Sequence, residues 1–189
     1  MSNTISREAR RDEVAVAVRT CIARDGLANT TMRSIARELG TTTGFLSHYF
    51  SNKEDILGFA LGSVVGRITE RIEPYLTKPP TMTNLIGALS QALPLDDERR
   101  LEGLVWMSSL GAVSGDDQIV DNLRRSYTEV STELQAFANA SRADADLPAL
   151  PFEQVIAMLD GLTIQALLLP ERFPPKRQRA LLREFIQHP

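Results

Sequence analysis

The chain has 189 residues, of which 43% are hydrophobic and 24% are charged, and it carries a formal net charge of −3. This composition is too apolar for a disordered chain and is typical of a protein with a packed core in one or two domains. No run of residues approaches the roughly 18 to 20 apolar residues of a membrane-spanning helix, and a single cysteine excludes an internal disulfide, so we expect a cytoplasmic protein without a membrane partner.

The charge is distributed unevenly along the chain. Residues 1–53 contain eight Lys or Arg and five Asp or Glu, whereas the rest of the chain contains 13 basic and 19 acidic residues. The basic N-terminal part is therefore the part expected to meet a polyanion such as DNA.

Helical periodicity runs through most of the chain, and strand patterns are nearly absent. In residues 6–25 apolar side chains recur at spacings of three and four, and Gly26 follows as a stop signal. This pattern predicts a first helix in which the cysteine is a small buried apolar residue. The stripe consists of Val14, Ala17, Val18, Cys21 and Ile22.

Residues 30–50 predict two short helices joined by a tight turn. A second helix is closed by Gly40, and Thr42 caps a third helix that turns Leu46 and Phe50 inward. Ala36 supplies the small residue at the helix crossing, Gly40 tolerates a positive φ in the turn, and Leu46 locks the pair together. This spacing is typical of a DNA-binding helix-turn-helix.

The remainder of the chain predicts longer helices. Ser51 and Glu54 match the S-x-x-E capping box, so a long fourth helix is predicted to begin there and run to Pro74. Further helices are predicted at about 83–93, 96–112, 117–141, 151–169 and 175–187.

The outward side of the third helix carries groups suited to a DNA groove. Threonine hydroxyls can contact base edges, a thymine methyl can pack on Phe45, and Gly44 lets the backbone come close to the DNA. Arg33 and Lys53 are candidates for phosphate contacts. The predicted DNA-binding residues are Thr31, Arg33, Thr42, Thr43, Gly44, Phe45, Ser47, His48, Tyr49 and Lys53.

The same residues resemble a known family. The segment TTMRSIARELGTTTGFLSHYFSNKEDIL is similar to the N-terminal domain of the TetR family of transcriptional regulators, and the similarity covers about residues 6–60. Thr41 and Thr42 replace the Val-Ser pair of the family pattern, and Ser47 replaces an aromatic residue. The strings LSHYF and LDGLTIQALL are also similar to the betaine-regulator branch of that family. The matching residues are Thr30, Thr31, Ile35, Ala36, Gly40, Gly44, Leu46, Tyr49, Phe50 and Lys53.

This resemblance implies an all-α protein with a three-helix helix-turn-helix DNA-binding domain at residues 1–53. A long fourth helix would join it to a helical ligand-binding and dimerisation domain at residues 54–189. The implied function is a ligand-responsive transcriptional regulator: a repressor that binds a palindromic operator as a homodimer and is released by a small-molecule inducer. The implied partners are double-stranded operator DNA, a second copy of the chain and an effector.

The later helices contain candidate residues for both roles of the second domain. Asp160 interrupts an apolar helix, so its carboxylate must meet an arginine, a helix N-terminus, solvent or a cationic ligand. The predicted ligand-binding residues are Trp106, Met107, Tyr127, Phe137 and Asp160. The last two helices are richer in Leu, Ile and Phe than one monomer surface requires. The predicted dimer-interface residues are Val155, Ile156, Leu159, Leu168, Leu181, Leu182, Phe185 and Ile186.

An enzyme is not expected. The sequence has only two histidines and one cysteine, no metal-ligand cluster and no phosphate-binding glycine loop, so we predict no catalytic residue, metal or cofactor. Ser47 and His48 are neighbours on a helix and diverge by about 100°, so they form no catalytic pair. Two alternatives stay open: a TetR-like activator, and a helical protein-interaction module without DNA binding.

Overall fold

The structure is a computed structural model that describes residues 7–110 and 117–188. In these residues the chain forms nine α-helices, one short 3-10 helix and no strand, so the predicted all-α fold class is confirmed. The helices are α1 (Arg7–Asn29), α2 (Met32–Glu38), α3 (Thr43–Leu46), α4 (Lys53–Leu76), α5 (Met82–Leu89), α6 (Asp97–Leu110), α7 (Asp117–Asp144), α8 (Phe152–Leu168) and α9 (Pro175–Gln187), and the 3-10 helix is Ser90–Ala92.

The chain divides into two compact units. Residues 1–64 and 104–122 belong to the first unit, and residues 65–103 and 123–189 belong to the second. Helices α4, α6 and α7 therefore each contribute to both units. Within the described parts of the chain, no helix combines the length and the apolar character that crossing a membrane requires.

The core of the first unit begins with the apolar stripe of α1. All five residues of the predicted stripe are buried, including Cys21, whose thiol pKa is raised by that burial. The regular helix is interrupted at Gly26, as predicted, because Gly26 has a non-helical backbone with φ at 74°; beyond this kink helical residues continue to Asn29. Thr30 follows the last residue of α1, and its amide and its hydroxyl both donate to the Gly26 carbonyl oxygen, at 3.1 and 2.9 Å.

The start of α4 differs from the prediction by one residue. The side-chain oxygen of Asn52 accepts a hydrogen bond from the Asp55 amide at 2.7 Å, and the Asp55 carboxylate accepts one from the Ser51 amide at 2.8 Å. Asparagine caps a helix as well as serine does, so the cap forms one residue later than the S-x-x-E motif indicates. The helix also continues two residues beyond Pro74, to Leu76.

The core of the second unit is built by α5, α8 and α9 with parts of α4 and α7. Its fully buried side chains are mostly leucine, isoleucine and valine, among them Leu85, Val155, Leu182 and Ile186. Arg142 is also buried at the end of α7, where it donates to the carbonyl oxygens of Pro148 and Ile186. Burial lowers the pKa of this guanidinium.

Gly87 marks a close approach between α5 and α4. A Cβ built on Gly87 would lie 2.9 Å from the Cδ1 atom of Tyr75 and closer still to Cε1. The Tyr75 ring has little freedom to move away, because its hydroxyl accepts a hydrogen bond from Gln91 at 3.3 Å and the ammonium of Lys78 lies 4.9 Å from its centroid. Any side chain at Gly87 must therefore displace the ring.

We expect Gly87→Ala to lower the free energy of unfolding by about 1 to 3 kcal/mol, because the added methyl overpacks this contact. Urea unfolding of the purified protein measures the change. Gly66→Ala is the matched control: its Cβ would have no neighbour within 4 Å, so the substitution is expected to stabilise the protein by about 0.5 to 1 kcal/mol. Equal effects of the two substitutions would contradict the proposed overpacking.

The first turn of α6 is capped by Asp96. Its carboxylate accepts hydrogen bonds from the Arg99 amide at 2.9 Å and from the Arg99 guanidinium at 2.8 Å. Partial burial alone would raise the pKa of Asp96. The hydrogen bonds and the positive charge of Arg99 lower it by more, so the pKa lies below its ordinary value. A depressed carboxyl pKa means that the stability from this cap is present above the unfolded-state pKa and is lost as the pH falls through the folded-state pKa.

We expect Asp96→Ala to cost about 1 kcal/mol at neutral pH, as loss of a helix cap does. The difference from wild type should shrink at acid pH, where the wild-type carboxylate becomes protonated. Denaturant unfolding at both pH values measures it. Asp96→Asn keeps a capping oxygen but cannot titrate, so it should retain most of the stability and lose the pH dependence; an unchanged pH dependence would exclude Asp96 as its source.

Candidate functional site

The turn between α2 and α3 has the geometry that the sequence predicts. Gly40 follows α2 with φ at 63°, in the left-handed region that favours glycine. Its amide donates to the Arg37 carbonyl oxygen at 3.2 Å, and the Thr41 amide donates to the Ala36 carbonyl oxygen at 2.9 Å. This pair of bonds is a Schellman motif, which ends α2 and directs the chain into α3.

Helix α3 is short and is held at both ends. The Thr42 hydroxyl accepts a hydrogen bond from the Phe45 amide at 3.3 Å, which is the predicted N-cap. After Leu46 the Tyr49 and Phe50 amides both donate to the Leu46 carbonyl oxygen, at 2.8 and 3.0 Å, so the helical path continues for another turn. Leu46 and Phe50 are buried, as predicted, and they fix this segment to the core of the first unit.

Four predicted DNA-binding residues are exposed on this helix-turn-helix. Thr43, Gly44 and His48 lie on or just after α3, and Arg33 lies on α2. The side chains of Arg33, Thr43 and His48 form no hydrogen bond or ion pair within the described residues. They are therefore available to an external partner.

Two other predicted DNA-binding residues are already engaged. Thr31 forms a capping box with Ser34: its hydroxyl accepts from the Ser34 amide at 3.1 Å and donates to the Ser34 hydroxyl at 3.3 Å. The Ser47 hydroxyl donates to the Gly44 carbonyl oxygen at 2.8 Å. As placed, Thr31 is a helix cap, and Ser47 can accept but cannot donate a hydrogen bond to phosphate.

The aromatic residues of the recognition segment pack on one another. The Phe45 and Tyr49 ring centroids are 5.2 Å apart, and both rings are half-buried. The Arg10 guanidinium of α1 lies 5.4 Å from the Phe45 centroid and also pairs with Glu13 at 2.7 Å. Arg10 thus stands beside α3, a position that the sequence analysis did not predict because it follows from how α1 packs.

The basic residues of the first unit differ in how far they are already paired. Arg24 bonds to Asp25 at 2.9 Å and to Glu38 at 2.7 Å, and these carboxylates raise its pKa. Arg33 and Arg37 are exposed and have no described ionic partner. Lys53 begins α4, and its side chain lies outside the described part of the chain.

The predicted ligand-binding residues do not form one site within either unit. Trp106 and Met107 are half-buried in the first unit, whereas Phe137 and Asp160 are half-buried in the second. Phe137 packs against the apolar core, and Asp160 is already engaged in an interaction. The Tyr127 side chain lies outside the described part of the chain.

A groove of about 540 Å³ opens in the second unit between α4 and α7. This volume lies within the usual range of small-molecule sites. Of the predicted ligand-binding residues whose side chains the structure describes, none lines the groove. We call it the α4–α7 groove; its lining residues are Val65, Thr69, Ile72, Glu73, Leu76, Thr77, Glu133 and Leu134.

Four of the eight predicted interface residues lie in the core of the single chain. Val155, Leu159, Leu182 and Ile186 are at most 7% exposed, because α8 and α9 use them to pack on the rest of the second unit. A side chain buried in this way cannot also form an interface surface. The residues that remain accessible are the half-buried Ile156, Leu181 and Phe185 and the exposed Leu168.

Two sequence models of protein families match the chain. The model described as "Bacterial regulatory proteins, tetR family" matches residues 15–58, which include α2 and α3. The model described as "BetI-type transcriptional repressor, C-terminal" matches residues 83–188.

Individual relatives agree with these matches. The chain is 26% identical to the HTH-type transcriptional regulator PksA of Bacillus subtilis, over 99% of this chain and 93% of PksA. It is 25% identical to the HTH-type transcriptional regulator BetI 2 of Chromohalobacter salexigens, over 94% of this chain and 86% of that protein. Both relatives are transcriptional regulators and neither is an enzyme.

A crystal structure of a transcriptional regulator from Saccharomonospora viridis in complex with choline has a similar fold. It superposes with a TM-score of 0.82 at 25% sequence identity, over 96% of this chain and 97% of the other. The similarity of the whole fold and the sequence match at the helix-turn-helix therefore both relate the chain to transcriptional regulators.

Proposed function

We propose that this chain, which belongs to the TetR family of bacterial regulatory proteins and is a transcriptional regulator, represses its target genes by binding a palindromic operator as a homodimer. A small molecule would release it from the operator. Residues 1–53 would form the DNA-binding domain and residues 54–189 the domain for effector binding and dimerisation. The site of action would be the cytoplasm, where the operator is.

The observation that carries this proposal is the exposed, unengaged set of Thr43, Gly44 and His48 on a helix held by buried anchors. A helix entering the major groove needs short polar groups and room for its backbone on the side facing the base edges. Thr43 would contact a base edge, and Arg33, His48 and Lys53 would contact phosphates. Arg10 would also contact a phosphate, since its guanidinium lies beside Phe45.

The remaining predicted DNA contacts take more limited roles. Thr42 keeps a hydroxyl hydrogen for a phosphate while its oxygen caps α3. Phe45 and Tyr49 would support the surface of α3 with part of each ring reaching the DNA. Thr31 and Ser47 would act mainly within the protein, as cap and as a backbone partner.

The dimer surface is proposed on the exposed sides of α8 and α9. Leu168 is 66% exposed and the adjacent Leu169 is 40% exposed, and they are two of the three exposed large apolar residues among those that the structure describes. Ile156, Leu181 and Phe185 would extend this apolar surface. A second copy is the expected occupant, because a twofold dimer presents two recognition helices to the two halves of a palindrome.

The effector is proposed to be a small organic cation. The similar regulator from Saccharomonospora viridis was crystallised with choline, which supports this class for the present chain. The BetI-type model matches residues 83–188, which include most of the second unit. Trp106, Met107, Tyr127, Phe137 and Asp160 stay predictions for effector contacts.

The experiment that tests the regulator is selection of genome fragments by the purified protein at near-physiological salt, followed by sequencing. A recovered palindrome whose binding weakens with added salt is expected. Absence of enrichment from a folded dimer would instead favour a protein-interaction module.

The direction of regulation needs a second measurement. In transcription with purified RNA polymerase and the recovered operator, the protein is expected to reduce the transcript. An increased transcript would identify the chain as an activator.

A further inference from the structure

The described lining residues of the α4–α7 groove present hydrogen-bond acceptors to a ligand and no side-chain donor. The Thr69 hydroxyl donates to the Val65 carbonyl oxygen at 3.0 Å, and the Thr77 hydroxyl donates to the Pro74 carbonyl oxygen at 3.2 Å. Each threonine therefore offers only oxygen lone pairs. The other polar lining residues, Glu73 and Glu133, are acceptors because they are carboxylates.

The two carboxylates of the groove have no cationic partner among the described residues. The two arginines of α4 are engaged elsewhere: Arg67 bonds to Glu102 at 3.0 Å, and Arg71 bonds to Glu102 at 2.9 Å. Lys78, just beyond α4, places its ammonium over the Tyr75 ring. A ligand in the groove thus meets uncompensated negative charge.

The rest of the described lining is aliphatic and contains no aromatic ring. Val65, Ile72, Leu76 and Leu134 supply this apolar surface, which extends along α4 from Val65 to the end of the helix at Leu76. Twelve residues of α-helix span about 18 Å, so the groove is long enough for an extended chain. Quaternary ammonium ions, which have no N–H group, are usually held by aromatic faces, and this lining offers none.

We propose that the α4–α7 groove binds a linear alkylammonium ion that carries N–H groups. Its ammonium would donate hydrogen bonds to Glu73 and Glu133, and its hydrocarbon chain would lie on Ile72, Leu76 and Leu134. Charge-assisted N–H bonds to carboxylates are the strong contacts here, and burial of methylene groups adds to them. As the effector site this inference rests on the proposed function, since binding would bias helix α4, which follows the helix-turn-helix directly.

The test is calorimetric titration of the full chain, without DNA, at neutral pH. Octylamine is the probe, and octyltrimethylammonium is the matched cation without N–H groups. Octylamine is expected to bind at least roughly tenfold more tightly than the quaternary ion, because only the amine can donate to the carboxylates. Operator affinity is measured separately, with and without octylamine.

Glu73→Gln and Glu133→Gln are each expected to weaken octylamine binding by roughly tenfold. Both residues are exposed, so these variants should fold normally. Glu70→Gln is the control. Glu70 is an exposed glutamate of α4 outside the groove lining, so this substitution removes the same charge without changing the groove.

No octylamine binding, equal binding of the quaternary ion, or an equal effect of all three variants would overturn the site. Octylamine binding that leaves operator affinity unchanged would overturn its role as effector site. If octylamine binds through Glu73 and Glu133 but fragment selection recovers no operator, the site stands and the proposed function fails. If an operator is recovered without octylamine binding, the regulator stands and the site fails.

Discussion

Replacing Glu102 by glutamine is expected to lower the free energy of unfolding by about 3 kcal/mol. The Glu102 carboxylate on α6 is only 3% exposed and accepts hydrogen bonds from Arg67 at 3.0 Å and from Arg71 at 2.9 and 2.5 Å. Burial lowers the pKa of Arg67, but the bonds and charges of Glu102 and Glu98 outweigh this and raise it. Glu102→Gln removes the negative charge and places an N–H group of the glutamine amide against the N–H groups of the two arginines.

Thermal and urea unfolding measure this loss, and Glu98→Gln is the matched control. Glu98 also pairs with Arg67, but its side chain is 58% exposed, so its removal should cost at most about 1 kcal/mol. Loss of one partner of a buried ion pair costs about 3 to 5 kcal/mol. We expect the lower end of this range at Glu102, because Arg67 and Arg71 are 34% and 22% exposed and can be hydrated when the carboxylate is absent. Similar costs for the two variants would show that burial of Glu102 is not decisive.

Gly44→Ala is expected to weaken operator binding by roughly tenfold to a hundredfold, the loss expected from disturbing one or two base contacts. The same substitution should leave the protein as stable as wild type or stabilise it by about 0.5 to 1 kcal/mol, since alanine favours a helix. The new Cβ would lie 3.7 Å from the Thr42 hydroxyl, which is an ordinary contact. Only the approach to DNA is obstructed.

Fluorescence anisotropy with the recovered operator measures the affinity, and urea unfolding measures stability. Gly40→Ala is the contrasting variant: Gly40 has φ at 63°, so alanine there should cost about 1 to 2 kcal/mol of stability and loosen the turn as well. If Gly44→Ala binds the operator like wild type, the exposed side of α3 does not face DNA. The proposed docking would then be wrong.

The helices and the helix-turn-helix could be predicted because their causes are local. The left-handed turn at Gly40, the cap at Thr42 and the apolar stripe of α1 each depend on residues within four positions of one another. One local detail differs from the prediction: the Asp55 amide donates to the side-chain oxygen of Asn52, so the cap of α4 lies one residue after Ser51.

The availability of individual DNA-contact residues could be predicted only in part. Exposure of Thr43 and His48 follows from the helical period once Leu46 and Phe50 point inward. The hydrogen bond that occupies the Ser47 hydroxyl could not be read from residue types alone. The position of Arg10 over Phe45 could not be predicted, because it depends on packing between segments 35 residues apart in sequence.

The sequence by itself determined the helical fold, the form of the helix-turn-helix and the family, since each depends on short-range periodicity or on a contiguous motif. Tertiary structure alone decided that Glu102 is buried between Arg67 and Arg71, 31 or more residues away, and that the α4–α7 groove exists. It also decided that Val155 and Leu182 belong to the core of one chain. An apolar helix face looks the same in sequence whether it is covered by its own chain or by a second copy, and only the packing of distant segments distinguishes the two.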